Sequence, residues 1–425
     1  MNNFIESIQK FLCNFERGVK LKKIAKISIL FVFIFSCFLS FLTLYYSYKI
    51  LDVYKVFVGQ KIDFNFFGVS FNKIDKNIPI LEDSKKFVEN EFFKAKLFNL
   101  IPIKTVVVKK YSKVNVFPCG TPFGVKFLTQ GVMVVDTREI KTPKGEKNPS
   151  KEAGIKKGDI IEYINEKKIN SNDDVKNIVA HGGGKEIKIK YSRNFKKYET
   201  TLVPVFYSKE NKWVTGLWAR DSSAGIGTIT FCMEDGRFGG LGHAVCDVDT
   251  GKKLPLGSGE IVSAKITGIK KGVCESPGEL CGEFAKDTVS GYVEKNMDCG
   301  LYGKMYKPIT LNKPVIIGFK QDAKVGKAQI LSTTHGKKPE LYDVNIESID
   351  YNSKSRNFVI KIVDNKLLEK TGGILQGMSG SPILQYNPKL GANMLIGAVT
   401  HVFLKDSTRG YGVFAETMLE VVDDL

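Results

Sequence analysis

Residues 376–385 read QGMSGSPILQ, and they hold a serine between two glycines with a proline two positions on. A serine hydroxyl attacks a carbonyl only when a base takes its proton. It also needs backbone amides aimed at the oxygen that becomes negative. The glycines address the second need. Gly377 is free to adopt backbone angles that turn its own N–H and that of Ser379 into one pocket.

The base must come from four histidines. His181, in AHGGG, reads as a helix terminus, and His335, in STTHGKKPE, as a polar turn. His401 lies in GAVTHVF, alternating with apolar positions as in a strand, and its nearness to Ser379 in the chain makes it a candidate pocket wall. His243 lies in GGLGHAVCDVD, with Gly236, Gly239, Gly240 and Gly242 before it and acids after it. Such a loop suits an imidazole held at a cleft, so His243 is the preferred base. An orienting carboxylate would complete the set. Asp247, Asp249 and Asp364 all qualify, and spacing does not choose among them. A zinc site on His243 and Cys246 is disfavoured, because neither a helical H-E-x-x-H nor a third ligand accompanies them. No metal or cofactor is expected.

These residues need elements to position them. From Trp213 onward short apolar runs such as AGIGTITFCM, EIVSAKITGI, KAQILST, NFVIKIV and MLIGAVTHVF alternate with glycine-rich turns, the spacing of a β-sandwich or barrel. Ahead of them, residues 112–206 present strand, short helical turn, the Gly158-Asp159 turn, strand, helix and strand pair in order. The helix SNDDVKNIVAH carries a Ser171 cap, acids in its first turn and Gly182 at its end.

That ordered set resembles a PDZ domain, which binds a peptide as an added strand beside a helix. By position CGTPFGVKF would supply the carboxylate loop and first strand. Phe123, Gly124 and Val125 would then line the groove, facing Val175 on the helix.

The N-terminal end is different. Residues 27–48 carry no charge, long enough to cross a bilayer core of ~30 Å. Five basic residues stand in RGVKLKKIAK just before them, which places the N-terminus in the cytoplasm and the bulk of the chain outside. The expected layout is a basic tail (1–26), an uncleaved transmembrane signal anchor (27–48), a stalk with leading strands (49–111), the PDZ domain (112–206) and a β-rich domain (207–425).

The net charge is +18, yet only seven of the basic residues are arginine. Specific nucleic-acid readers lean on arginine for bidentate contacts, and no basic patch with interleaved aromatics occurs, so nucleic acid is not an expected partner. Of eight cysteines none forms a CxxC; Cys274 and Cys281 flank a Pro-Gly turn and are the candidate disulfide.

RDSSAGIGTITF, GGLGHAVCDVDTGK, TGGILQGMSGSPILQ, GAVTHVF...GYGVF, and upstream LFNLIPIKTVVVKKY and FGVKFLTQGVMVVD, resemble the sporulation stage IV protein B peptidase family of endospore formers. The order of anchor, PDZ domain and peptidase domain matches as well. The resemblance implies a mainly β chain whose peptidase domain is a chymotrypsin-like double β-barrel. It implies His243 as base, Asp364 as orienting carboxylate and Ser379 as nucleophile, with the Gly377 and Ser379 amides as oxyanion hole. It implies secretion into the space between the forespore membranes. There such a protein cleaves a membrane-bound partner of an intramembrane protease, which activates a late mother-cell sigma factor; self-cleavage and PDZ–peptide contact are further expectations. CGTPFG departs from the family's more usual Gly-Gly-Gln type of loop, which bears on peptide recognition more than on catalysis. The competing expectation is a non-catalytic PDZ adaptor in the same membrane space.

Overall fold

The computed structural model describes residues 2–60, 62, 64–74, 87–143, 145–194, 196–272 and 277–425. It divides into two compact units, residues 1–113 and 114–425.

The first unit begins with helix α1 (Asn2–Lys49), of which Lys26–Lys49 is long and apolar enough to span a membrane. Phe31, Phe33 and Phe38 are exposed along it, as suits a helix whose apolar surface meets lipid rather than protein. This agrees with a single-pass anchor. Residues 49–111, expected as a stalk with leading strands, contain a four-stranded sheet. It is built from β1 (Val53–Phe57), β2 (Val69–Ile74), β3 (Phe87–Leu97) and β4 (Ile101–Tyr111), in the order β1-β4-β3-β2. Ile50, Tyr54, Val56, Ala95, Val106 and Val108 form its core. Lysines and asparagines on the outer positions of these strands mask the alternation in the sequence.

The second unit is organised by two long strands. β5 (Asn115–Thr137) and β14 (Leu217–Cys232) pair antiparallel along almost their whole lengths, through register shifts that let the ribbon bend. Between them the chain builds a small α+β module. It comprises the hairpin β6 (Ile140–Thr142) and β7 (Gly145–Lys147), α2 (Pro149–Glu152), β8 (Ile160–Ile164), β9 (Lys167–Lys168), α3 (Asn172–His181), β10 (Ile187–Arg193), β11 (Lys196–Leu202) and the hairpin β12 (Val205–Tyr207) and β13 (Lys212–Val214). The Ser171 cap of α3 is a full capping box with Asp174, and Val175 and Val179 are its buried face. They pack with Val132, Val134, Ile161, Ile189 and Leu202. The expected PDZ elements are therefore present.

The place of their groove differs from expectation. Phe123, Gly124 and Val125 do not line a groove beside α3. They pair with Gly227, Ile226 and Gly225 of β14, and with Ser263, Val262 and Ile261 of β16 (Leu256–Lys270). A Cβ on Gly124 would run into the ring of Phe284, so this half of β5 is packed in another core. The small module is thus inserted after the first strand of the larger domain. Only residues 132–137 of β5 belong to both.

The rest of that domain is two closed circuits of strand pairs. In the first, β5 pairs β14, β14 pairs β15 (Arg237–Gly240), β15 pairs β18 (Gly300–Met305), β18 pairs β17 (Glu279–Met297), β17 pairs β16, and β16 returns to β5. Phe123, Phe127, Phe238, Ile261 and Leu301 fill it. After β19 (Val315–Ile317) comes the second, through β20 (Gly326–Ser332), β21 (Glu340–Ile349), β22 (Phe358–Ile362), β25 (Arg409–Phe414), β24 (Ala392–Val402), β23 (Pro382–Asn387) and back to β20. Each ring closes on itself, the pairing pattern that a six-stranded barrel requires. Helix α4 (Asn365–Thr371) follows β22, and α5 (Ala415–Asp423) ends the chain. Met418, Leu419 and Val422 of α5 are buried against residues of both circuits, a contribution of about 1.5–3 kcal/mol for each side chain.

Among the described residues Cys119, Cys232, Cys246, Cys281 and Cys299 are free thiols. Cys274 lies outside the described residues.

Candidate active site

The turn that carries Ser379 sits where the two circuits meet. From the first, Thr228 of β14 donates its N–H to the Ser379 carbonyl at 3.0 Å and its Oγ1 to the Gly377 carbonyl at 2.8 Å. Thr230 Oγ1 donates to the Gly380 carbonyl at 2.7 Å. From the second, the Val399 carbonyl of β24 accepts the Gly380 N–H at 2.7 Å. Gly377 and Gly380 have φ values of 95° and 96°, the region that favours glycine. A Cβ on Gly380 would collide with the Thr228 carbonyl and the Leu241 amide, so the serine turn lies directly on the segment leading to His243. The N–H groups of Gly377 and Ser379 find no acceptor among the described residues.

His243 follows β15 after a short left-handed turn, with φ of 63° at Leu241 and 69° at Gly242. Gly242 abuts Val399 and Thr400, which brings the His243 segment of the first circuit against β24 of the second. The imidazoles of His243 and His401 lie 4.6 Å apart, tilted by 36°. His401 lies next to the end of β24, and the Thr400 carbonyl before it accepts the Ser379 hydroxyl at 2.5 Å. Ser379, His243 and His401, which lie far apart or out of phase in the sequence, thus converge at one seam.

His243 Nδ1 is 2.9 Å from the Ala244 carbonyl. A carbonyl oxygen only accepts, so Nδ1 carries the proton and Nε2 presents a lone pair, the tautomer that a general base needs. Burial depresses the His243 pKa below 6.5, partly offset by that carbonyl. His401 is pushed down to about 4, first by burial, then by the positive charges of His243 and Arg356. Both rings are therefore neutral at neutral pH.

The candidate carboxylates are engaged elsewhere. Asp364 is the N-cap of α4: its Oδ1 accepts the Leu367 N–H at 2.9 Å and its Oδ2 the Asp343 N–H at 3.3 Å. Asp247 and Asp249 both face Arg220. Among the described residues no carboxylate is hydrogen-bonded to His243, and none contributes to its pKa shift. Of the three residues the resemblance implies, Ser379 and His243 lie at the same seam, with the Ser379 hydroxyl on the Thr400 carbonyl and His243 Nδ1 on the Ala244 carbonyl, while Asp364 caps α4. A capping site and an orienting carboxylate share the same residue type at the end of a strand, which is why sequence reasoning does not separate them.

Sequence reasoning also misses the residue that holds the loop after His243. Asn296 of β17 accepts the Val245 N–H at 2.9 Å through Oδ1, and its Nδ2 donates to the carbonyls of Val245 and Leu254, each at 3.0 Å. These fix the loop on which the Ala244 carbonyl stands. An asparagine inside a β-run carries no local signal for this task. Thr228 and Arg220 lie within RDSSAGIGTITF, so only the resemblance marks that stretch.

Val175 lines a cleft of about 720 Å³ together with Val179, Ile140, Trp213, Leu217 and Trp218. The strand beside α3 on this side is the chain's own: residues 217–220 of β14 pair with residues 133–137 of β5.

Comparison with known proteins finds two family matches in tandem. Residues 211–419 match the family described as SpoIVB peptidase S55, and residues 120–203 match the PDZ domain. No curated relative matches. Among solved structures, the inactive form of the Rv3671c protease matches at 14% identity and a TM-score of 0.25, over 46% of this chain and 81% of that one. A serine-to-alanine mutant of Rv3671c from M. tuberculosis H37Rv matches at 14% identity and 0.25, over 47% and 82%. A TM-score of this size is too low to assign a shared fold.

Proposed function

The chain belongs to the SpoIVB peptidase S55 family and is a serine peptidase, and from that premise we propose that it is a membrane-anchored signalling endopeptidase of sporulation. Its substrate is a membrane-bound regulatory partner of an intramembrane protease, and the cut leads to late mother-cell sigma-factor processing. It works in the space between the forespore membranes, with α1 as anchor and the N-terminus in the cytoplasm. Self-cleavage and peptide contact by the PDZ module belong to the same proposal.

The observation that carries the catalytic part is the convergence of Ser379, a neutral His243, and the amides of Gly377 and Ser379, which with His243 Nε2 have no partner among the described residues. Ser379 is the nucleophile and His243 the base. A substrate carbonyl seated on the two amides draws the serine hydroxyl away from the Thr400 carbonyl and toward His243. Oγ attacks the carbonyl carbon, its proton passes to His243, and the oxyanion is held by the two amides. His243 then protonates the leaving amine, the acyl-enzyme forms, and water reverses the sequence. The two circuits correspond in this proposal to the two barrels of a chymotrypsin-like domain.

One observation favours the adaptor reading: in the resting arrangement the Ser379 hydroxyl is bonded to a backbone carbonyl, not to a histidine. One experiment decides. The full chain in detergent micelles is treated with a fluorophosphonate probe, and the labelled peptide is mapped. Labelling at Ser379 that vanishes in His243→Ala supports the peptidase. Folded protein that stays unlabelled, and that still supports signalling as Ser379→Ala, would establish the adaptor.

A further inference from the structure

The place taken by residues 217–220 is the one where a PDZ domain receives a peptide, against the sheet edge and next to the helix. Leu217 pairs with Thr137, Trp218 with Asp136, Ala219 with Val134 and Arg220 with Met133. Leu217 and Ala219 pack on the core that holds Val175 and Val179. The next two side chains grip in opposite directions. Asp221 Oδ2 accepts the Asn172 N–H of α3 at 2.8 Å. Arg220 reaches away from the module, to Asp247 Oδ2 at 2.5 Å and Asp249 Oδ2 at 2.7 Å.

Asp247 is fully buried and is the hub of the loop behind His243. Its Oδ1 accepts the N–H groups of Asp249 at 3.1 Å and Thr250 at 2.8 Å. The same loop reaches back to the small module through Lys252 Nζ, 3.4 Å from the Gly158 carbonyl and 3.3 Å from Asn194 Oδ1. It also carries the Ala244 carbonyl that fixes the His243 tautomer.

We propose that Arg220 is a positioning residue of the peptidase: its guanidinium ties the filled strand-addition edge of the PDZ module to the loop that orients His243. The inference rests on the assignment of His243 and Ser379 as base and nucleophile. A planar fork is suited to hold two carboxylates at once, whereas an ammonium acts as a point charge. The buried Asp247 charge has Arg220 as its ion-pair partner, so withdrawing the arginine leaves a buried carboxylate uncompensated. A partner segment that added to the β5 edge would have to displace residues 217–220 and take Arg220 with them. Occupancy of that edge and the geometry of His243 are therefore linked.

The test uses the full chain in detergent micelles. Two quantities are read: the fluorophosphonate labelling rate of Ser379 per folded molecule, and hydrogen exchange at the amides of Asp249 and Thr250. Arg220→Gln is the direct variant. Arg220→Gln combined with Asp247→Asn removes the buried charge and keeps the protein folded if the single variant fails. Ile189→Val, in the core of the small module and off the loop, is the control. Both Arg220 variants should label about tenfold to a hundredfold more slowly, the scale of a misplaced catalytic group. Exchange in Arg220→Gln should be faster, and the control should match the wild type in both readouts. Labelling of the folded Arg220 variants within about twofold of wild type, or equal slowing in the control, would overturn the proposal. If the wild type itself is not labelled at Ser379, the catalytic assignment fails. The exchange readout then still judges the tether, and unchanged exchange in Arg220→Gln refutes it.

Discussion

The Ser379 hydroxyl donates to the Thr400 carbonyl at 2.5 Å, one residue before His401. The hydroxyl of the proposed nucleophile is thereby held on β24. In the proposed mechanism its hydrogen bond to His243 is made when a substrate occupies the Gly377 and Ser379 amides.

The simplest consequence concerns the two residues that move the proton. Ser379→Ala and His243→Ala should each reduce peptidase activity by about a thousandfold or more, because members of such a pair act as a unit. The double variant should be little worse than either single one. Activity measured against an unstructured protein substrate checks this, and additive losses would separate the two residues.

Asp364 gives a sharper test, since resemblance and geometry disagree about it. As the α4 cap, its replacement by alanine should cost about 1 kcal/mol of stability and leave Ser379 labelling per folded molecule near wild type. If Asp364→Ala instead removes labelling while the thermal midpoint barely moves, the carboxylate reaches His243 in the working enzyme.

The histidines set the pH dependence. His243 has a depressed pKa, so the ascending limb of the labelling rate should have its midpoint below the ordinary histidine value of 6.5. His401 also binds its proton less readily folded than unfolded. Stability should be fully present above pH 6.5 and be lost as pH falls toward about 4, because the unfolded chain takes up the proton first. Thermal midpoints recorded across that window should fall, and His401→Gln should flatten the fall. A midpoint that rises on acidification would contradict the buried, neutral state of the ring.

Asn296 supports the base from a distant strand. Asn296→Ala strands the Val245 amide and two carbonyls in a buried setting, at about 2 kcal/mol or more. It should slow Ser379 labelling as well, since the Ala244 carbonyl stands on the same loop. A stability loss with unchanged labelling would show that the loop holds His243 without it.

The glycine turn at Ser379 and the glycine-rich loop at His243 were legible because both depend on local backbone freedom. Gly377 and Gly380 adopt φ values that few other residues tolerate, and Gly242 does so beside His243. Helix α3 was legible down to its cap for a similar reason, since Ser171 and Asp174 satisfy each other within one turn. The apolar span of α1 follows from composition alone. The PDZ groove was misplaced because strands of the small module and strands of the larger domain share one alternation. Phe123 and Val125 face a core in either case, and only their pairing with Gly227 and Gly225 says which core it is. Likewise Asp364, Asp247 and Asp249 are interchangeable in sequence, and their partners sort them into a helix cap and an arginine clamp. What the chain encodes locally is which residues can be nucleophile, base and oxyanion donor. Which of them meet was decided by strand pairing across the seam of two circuits. Thr228 reaches Gly377, Thr400 receives Ser379, and His243 comes to rest beside His401. Such contacts join residues that are remote in the chain, and their geometry exists only once both circuits have closed.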